Sequence, residues 1–271
     1  MSETTKLALL LTLKPDLHFD AAREEAELRE YLGERFELDR LWHYQEQLDA
    51  EFAQTGDEAR FYRTAVGYLY NLTAFAITGT KLPYLDELIR QVQAGARLLD
   101  YGCGIGSDGL MLLEAGYRVE FADFDNPSTE YLRWRLARRG LTAPIHDLDQ
   151  EVPAGFDGAF AFDVIEHVDD PYAFLAEMEA RARVIEVNFL EPEPGDQALH
   201  HKLPIAGLLR HCADHRLRVY RVLHGRSHLV VYESSPASGA TRLANRCRLV
   251  TGQARGRLTG RRAQPAAPAT G

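Results

Sequence analysis

The chain has 271 residues, 45% of them hydrophobic, with 31 Lys and Arg against 40 Asp and Glu and a formal net charge of −9. That length accommodates one large domain or one domain with an appendage, with apolar content ample for a core. The acidic balance speaks against nucleic acid, no apolar run reaches the roughly eighteen residues of a membrane span, and three cysteines without a ligand pattern (Cys103, Cys212, Cys247) fit a reduced, cytoplasmic protein. Residues 7–13 are apolar but lack a small-residue cleavage site soon after, so no signal peptide is expected.

Residues 20–93 predict helices. Residues 21–32 are acidic and strongly helix-forming. Leu38, Leu41, Trp42, Tyr44, Leu48 and Phe52 fall close to helical spacing. Residues 57–77 extend one longer, aromatic-rich helical pattern. A break follows at 81–83, with Pro83 in the first turn of the next helix. From residue 96 onward strands alternate with helices, which predicts a parallel sheet covered on both faces. Strands are expected at 96–100, 117–123, 143–148, 156–163 and 183–189, and a closing antiparallel pair at 217–223 and 227–233. Residues 235–271 hold seven arginines and no acid among Ala, Gly, Pro, Ser and Thr. Their composition predicts a solvated, disordered end; the alternative is a docking arm for an acidic partner or for the chain's own acidic body. The expected units are a helical lid over residues 1–93, a ligand-binding domain over 94–234 and a basic tail over 235–271.

The densest signal lies at 98–109. An apolar strand ends in Asp100, three glycines follow at alternate positions (Gly102, Gly104, Gly106), and a helix begins near Ser107. Such glycines let the backbone approach a ligand closely, beside the free N–H groups of a helix start. Gly104 to Gly109 also satisfies the dinucleotide pattern G-x-G-x-x-G, a weak signal alone. An acid at Asp100 would repel a pyrophosphate and would hold an ammonium group. The next strand ends in Asp123, placed to accept hydrogen bonds from ribose hydroxyls; this spacing suits NAD as well as S-adenosylmethionine (SAM). Strand ends at Asp147-Leu148 and Phe162-Asp163 follow, and then Glu166, His167 and Pro171.

In order and spacing, residues 84–233 resemble the class I SAM-dependent methyltransferases. Residues 163–171, Asp-Val-Ile-Glu-His-Val-Asp-Asp-Pro, resemble especially the group containing the ubiquinone-pathway O-methyltransferases. The resemblance implies an α/β fold: a seven-stranded, Rossmann-like sheet with an N-terminal helical lid. It implies S-adenosyl-L-methionine as cofactor, held by Asp100, Gly102, Gly104, Asp123, Phe124, Asp147, Leu148 and Phe162. Some relatives with Glu-x-x-Glu-His at this place bind a divalent metal, but here Asp163 stands for the first Glu and no metal is expected.

Methyl transfer is an in-line displacement that needs alignment and exclusion of water, and a base only when the nucleophile arrives protonated. The expected catalytic residues are His201, as general base from the loop after the fifth strand, and Asp163. His200 and Tyr70 are expected to touch the acceptor. The acceptor is expected to be a small metabolite with a hydroxyl or amine, with neither nucleic acid nor membrane as partner and a homodimer left open. An excess of Arg over Lys with abundant Ala points to a GC-rich bacterial genome. Aminopropyl transfer on the same fold, or a non-catalytic SAM-binding partner protein, are the alternatives.

Overall fold

The computed structural model describes residues 17–192 and 200–260. The apolar run at 7–13 and residues 193–196 of the acidic loop lie outside them. One seven-stranded sheet organises the chain, in the order β3-β2-β1-β4-β5-β7-β6. Strands β1 (Arg97–Tyr101), β2 (Arg118–Asp123), β3 (Ile145–Asp147), β4 (Phe156–Ala161) and β5 (Ala182–Leu190) are mutually parallel. Strand β7 (Ser227–Pro236) enters antiparallel between β5 and β6 (His215–Leu223). The seven expected strands are present, and the third is shorter than its sequence pattern. Leu98, Leu99, Phe160, Val184 and Ile185 are fully buried, as expected of central strands covered on both faces. Chain order reverses between β1 and β4. Ligands of open α/β sheets bind in the crevice beyond the strand ends at such a point.

Helices α1 (Ala21–Leu32), α2 (Leu38–Trp42), α3 (Tyr44–Thr55), α4 (Glu58–Thr64) and α5 (Gly67–Thr78) form a cap, and α6 (Leu82–Gln91) leads into β1. The single helical pattern expected over 57–77 is two helices. Ala65 is extended (φ −73°, ψ 115°) and ends α4. The Gly67 N–H then donates to Glu51 Oε2 (3.1 Å), where a Cβ on residue 67 would stand 2.1 Å from that oxygen. The break between α4 and α5 is thus tied to α3 through the Glu51 side chain.

Helices α7 (Ser107–Glu114) and α8 (Pro127–Arg138) flank β2 in the chain. The cap is bound to them by charge. Arg135 of α8 is fully buried and donates to Glu27 Oε2 (2.8 Å), Glu24 Oε1 (2.5 Å), the Ile105 carbonyl (2.8 Å) and Ser107 Oγ (2.8 Å). Arg139 adds bonds to Glu27 Oε1 and Oε2 (both 2.7 Å). Burial pushes the Glu27 carboxyl up, but Arg139 and Arg135 outweigh it and hold its pKa below the ordinary 4.5.

Helices α9 (Pro171–Arg181) and α10 (Ile205–Asp214) precede β5 and β6, and α11 (Gly239–Gly260) closes the chain. The disordered end expected over 235–271 is therefore corrected: 239–260 are helical, and residues 261–271 lie outside the described residues. Asn245 is buried and donates to the Ala213 and His215 carbonyls (3.0 and 2.8 Å), and Arg248 to those of Leu217 and Arg218 (3.2 and 2.9 Å). The basic segment docks on its own body through single residues that an average composition hides.

Arg135→Leu is expected to cost about 3 kcal/mol, the low end of the range for breaking a buried pair, because Glu24 and Glu27 lose one of their two buried guanidinium partners and keep Arg139. Urea unfolding at pH 7 measures it. Glu27 contributes stability that is present above its unfolded pKa and is lost as pH falls through its lower folded value, so this part of the acid slope is expected to flatten in the variant.

Candidate active site

The crevice beyond β1 and β4 is built by backbone geometry first. Gly102, Gly104 and Gly106 have φ of 79°, 52° and 72°, the left-handed region glycine tolerates. The N–H groups of Gly102 and Cys103 both donate to the Ala122 carbonyl (2.8 and 3.1 Å), which ties the loop to β2. Space is equally restrictive: a Cβ would lie 2.5 Å from Val164 Cγ1 at Gly102 and 2.8 Å from Leu72 Cδ1 at Gly104. Leu72 belongs to α5, so the cap closes directly on the glycine loop.

Asp100 is buried at the end of β1 and accepts the Gly109 N–H at 3.1 Å. Asp123 accepts from the Gly104 N–H through Oδ2 and the Phe124 N–H through Oδ1, both at 2.7 Å. Phe124 lies under the Arg63 guanidinium, 4.6 Å from its ring centre, and Arg63 is paired with Asp149 (2.5 and 2.9 Å).

A cavity of about 310 Å³ is lined by Asp100, Gly102, Gly104, Asp123, Phe124, Leu148 and Phe162, with Asp163 at its far side. Seven of the eight expected cofactor residues thus meet in one space. Asp147 is outside it; its Oδ1 accepts the Asp149 N–H (3.0 Å) and shapes the turn. An adjoining cavity of about 230 Å³ is lined by Asn71, Phe75, Tyr84, Glu166, His200 and Arg226. Tyr68, Leu72, Lys81, Asp108, Asp163 and His167 line both, so the two are chambers of one site.

The acceptor-side expectations need correction. Tyr70 is buried away from both chambers: its hydroxyl donates to the Arg35 carbonyl (3.2 Å) and accepts the Glu37 N–H (3.0 Å). The face of α5 that meets the site carries Tyr68, Asn71, Leu72 and Phe75, the i, i+3, i+4 and i+7 set, which leaves Tyr70 on the opposite side. His201 lines neither chamber. Its N–H donates to the Glu166 carbonyl (2.7 Å) and its Nε2 faces Glu58 Oε1 (3.1 Å). The preceding residue, His200, lines the smaller chamber, its ring edge-on to His167 at 4.7 Å.

Lys81 was read in the sequence only as part of a break. It is the basic centre of the junction. Its Nζ donates to the Phe162 carbonyl (2.9 Å) and lies 3.7 Å from both Asp108 Oδ2 and Asp163 Oδ2. Burial pulls its pKa down, yet the acids Asp108, Asp163, Asp100 and Glu166 outweigh this and raise it. The only signal available was its type, one of four lysines in an arginine-rich chain. Asp163 has φ 56° and is held there by Asn188, whose Oδ1 accepts its N–H (2.8 Å) and whose Nδ2 donates to its Oδ1 (2.7 Å). Such strain persists only where the surroundings over-determine it.

The site is acid-rich. Burial, then Asp108, pushes the Asp100 carboxyl well above its usual range. Burial pushes Asp123 up to about 6 against its two N–H bonds, and Glu166, beside Asp163, up to about 8. Both Glu166 oxygens are buried without a hydrogen-bond partner among the described residues. Glu166, His167 and His200 each bring a ligand atom within 4.8 Å of the others, close enough to share a metal ion; Asp163 and His201 are not in that set. The His167 Nδ1 already faces the Tyr62 hydroxyl at 2.9 Å.

Comparison with known proteins follows the same outline. A family described as "Methyltransferase domain" matches residues 77–216. The chain is 30% identical over 105 residues to the ubiquinone biosynthesis O-methyltransferase of Xanthomonas euvesicatoria pv. vesicatoria (strain 85-10), covering 37% of this chain and 43% of that protein. It is 31% identical over 105 residues to that of Xylella fastidiosa (strain 9a5c), covering 37% and 42%. The chain thus spans less than half the length of these curated relatives. An O-methyltransferase family protein from Burkholderia thailandensis shares the fold with TM-score 0.51 and 13% identity over 73% of this chain and 72% of that one.

Asp123 makes a testable contribution to stability. Its folded pKa, about 6, lies above the ordinary 3.8, so its contribution is fully present below about pH 3.8 and lost as pH rises through 6. Asp123→Asn is expected to remove about 1–3 kcal/mol of that slope between pH 4 and 7. Denaturant midpoints for both proteins across this range measure it.

Proposed function

The chain belongs to the methyltransferase-domain family, the class I SAM-dependent methyltransferases, and from that premise we propose that it methylates a hydroxyl or amine of a small-molecule acceptor. One observation carries the reading. Two chambers meet at Lys81, Asp163 and His167, one against the glycine loop and the other against His200 and Glu166.

The larger chamber suits SAM on its own chemistry. Its carboxylates, Asp100, Asp108 and Asp163, favour a ligand that carries an ammonium and a sulfonium, and Lys81 offers one cation for a carboxylate. A pyrophosphate would face Asp100 and Asp123 instead. Asp123 uses two acceptor positions on Gly104 and Phe124, and a carboxylate has about four, so two remain for a ribose diol. Phe124 and Leu148 supply an apolar wall for the base. When bound, SAM supplies an electrophilic methyl group on a positively charged sulfur.

The chain's own part is alignment, dryness and one proton. Tyr68 and Leu72 of α5 cover the junction and exclude water. Asn188 fixes Asp163 at the boundary of the chambers. His200 takes the place expected of His201: its imidazole, which lines the smaller chamber, accepts the acceptor's proton. The Glu166 carboxyl lies within 4.8 Å of a His200 nitrogen and, once ionised, stabilises the imidazolium that results. The acidic body fits a small acceptor and not a nucleic acid.

Calorimetric titration is expected to show binding of SAM and S-adenosylhomocysteine and no appreciable binding of NAD or NADP. Asp123→Ala is expected to weaken SAM binding by about 1.5–3 kcal/mol. Tighter dinucleotide binding would refute the assignment of the larger chamber.

With an acceptor in hand, His200→Ala is expected to lower turnover roughly 10²–10⁴-fold with SAM affinity nearly unchanged. His201→Ala is expected to retain most activity, and turnover to persist in EDTA. Activity lost in EDTA and restored by a divalent ion would reassign Glu166, His167 and His200 as ligands of a catalytic metal.

A further inference from the structure

A second cluster lies at the opposite end of the sheet. Helix α9 starts at Pro171, beyond the site end of β4, and runs back to Arg181 at the start of β5. Helix α10 likewise ends at Asp214, and His215 opens β6. Glu179 and His211, each in the last turn of its helix, meet His215 there. Glu179 Oε1 is 2.7 Å from His211 Nε2 and 3.6 Å from His215 Nε2, and the three ligand atoms lie within 4.8 Å of one another.

The hydrogen bonds around the cluster fix which atoms face inward. His215 Nδ1 is 3.1 Å from the Ser234 carbonyl, which can only accept, so Nδ1 carries a proton. Nε2, the other ring nitrogen, then faces the Glu179 carboxylate. Tyr232 donates its hydroxyl to Glu179 Oε1 (2.8 Å) and orients that carboxylate.

We propose that Glu179, His211 and His215 form a binding site for one zinc-class divalent metal ion. Two imidazoles and a carboxylate are a donor set for zinc; calcium and magnesium call for oxygen ligands. A tetrahedron with arms of ~2.0 Å has edges of ~3.3 Å, and the two measured separations lie on either side of that value. The Ser234 carbonyl and Tyr232 hydroxyl are the outer partners that orient metal ligands. The side chains of His211, His215 and Glu179 are 27%, 15% and 14% exposed, which leaves a solvent flank for entry and for a water as fourth ligand. Metal entry displaces the Nε2 proton of His211 to solvent. Distance from the chambers makes the role structural: the ion would tie α9, α10 and β6 together, and α11 leans on the same point through Asn245 and the His215 carbonyl (2.8 Å).

The test uses untagged full-length protein, stripped with EDTA, desalted and titrated with Zn²⁺ and Co²⁺. The expected result is one equivalent bound at this cluster, the visible absorption of tetrahedral Co²⁺, and a melting temperature raised by Zn²⁺. All three are expected to vanish in His211→Ala and His215→Gln and to remain in His200→Ala, which removes a ligand of the other cluster. Should His215→Gln fail to fold, the partly exposed His211→Ala decides alone. No binding by the wild type, binding that survives His211→Ala, or binding lost only in His200→Ala would each overturn the proposal and leave Glu179 and His211 as an ion pair.

Discussion

The buried guanidinium of Arg135 is the contact on which the closed site depends. It draws together two segments that the chain keeps far apart: Glu24 and Glu27 on the first cap helix, and the Ile105 carbonyl of the glycine loop with Ser107 at the start of α7. Burying a guanidinium is costly unless its donors are matched, and here two carboxylates, a hydroxyl and a carbonyl take four of its five N–H groups. With α1 held there, the cap's α5 lies over the loop, and Leu72 meets the space a side chain on Gly104 would need. The glycine loop is thus shaped by β2 beneath it, through the Ala122 carbonyl, and by the cap above it.

The second governing feature is an excess of buried acid around one lysine. Asp100, Asp108, Asp163 and Glu166 surround Lys81, and burial raises the first two acids and Glu166 above their usual ranges. A ligand with cationic groups would let these carboxyls ionise in place, so part of its binding energy comes from relieving the site's own desolvation. The same surplus disfavours a phosphate-bearing ligand. The acids that would favour a cationic ligand also weaken the fold at neutral pH.

The far end of the sheet carries a different kind of polarity. Glu179, His211, His215 and Tyr232 form a closed network on a flank where α9, α10 and the β6–β7 edge meet. It is built from helix ends and a strand start, rigid elements that hold donor atoms in fixed relation. The docked α11 extends that flank and covers part of an edge strand that would otherwise be exposed.

What the sequence by itself determined is whatever depends on local periodicity and local turn chemistry. The alternation of strands and helices, the left-handed glycines after Asp100, and the acid at the end of β2 are each encoded within a few residues, and the structure places Asp100, Gly102, Gly104, Asp123, Phe124, Leu148 and Phe162 around one cavity. The tertiary structure alone decided the rest. Which of two neighbouring histidines faces the chamber depends on a backbone bond from His201 to Glu166, and His200 takes the place. Tyr70 and Tyr68 are two residues apart on one helix, so the choice between them is a rotation set by what α5 packs against. Lys81 acquires its role from acids 19 to 85 residues further along the chain, and the helix over 239–260 from single contacts with α10 and β6. Long-range electrostatics and packing leave no period in a sequence, so neither was legible before the chain was folded.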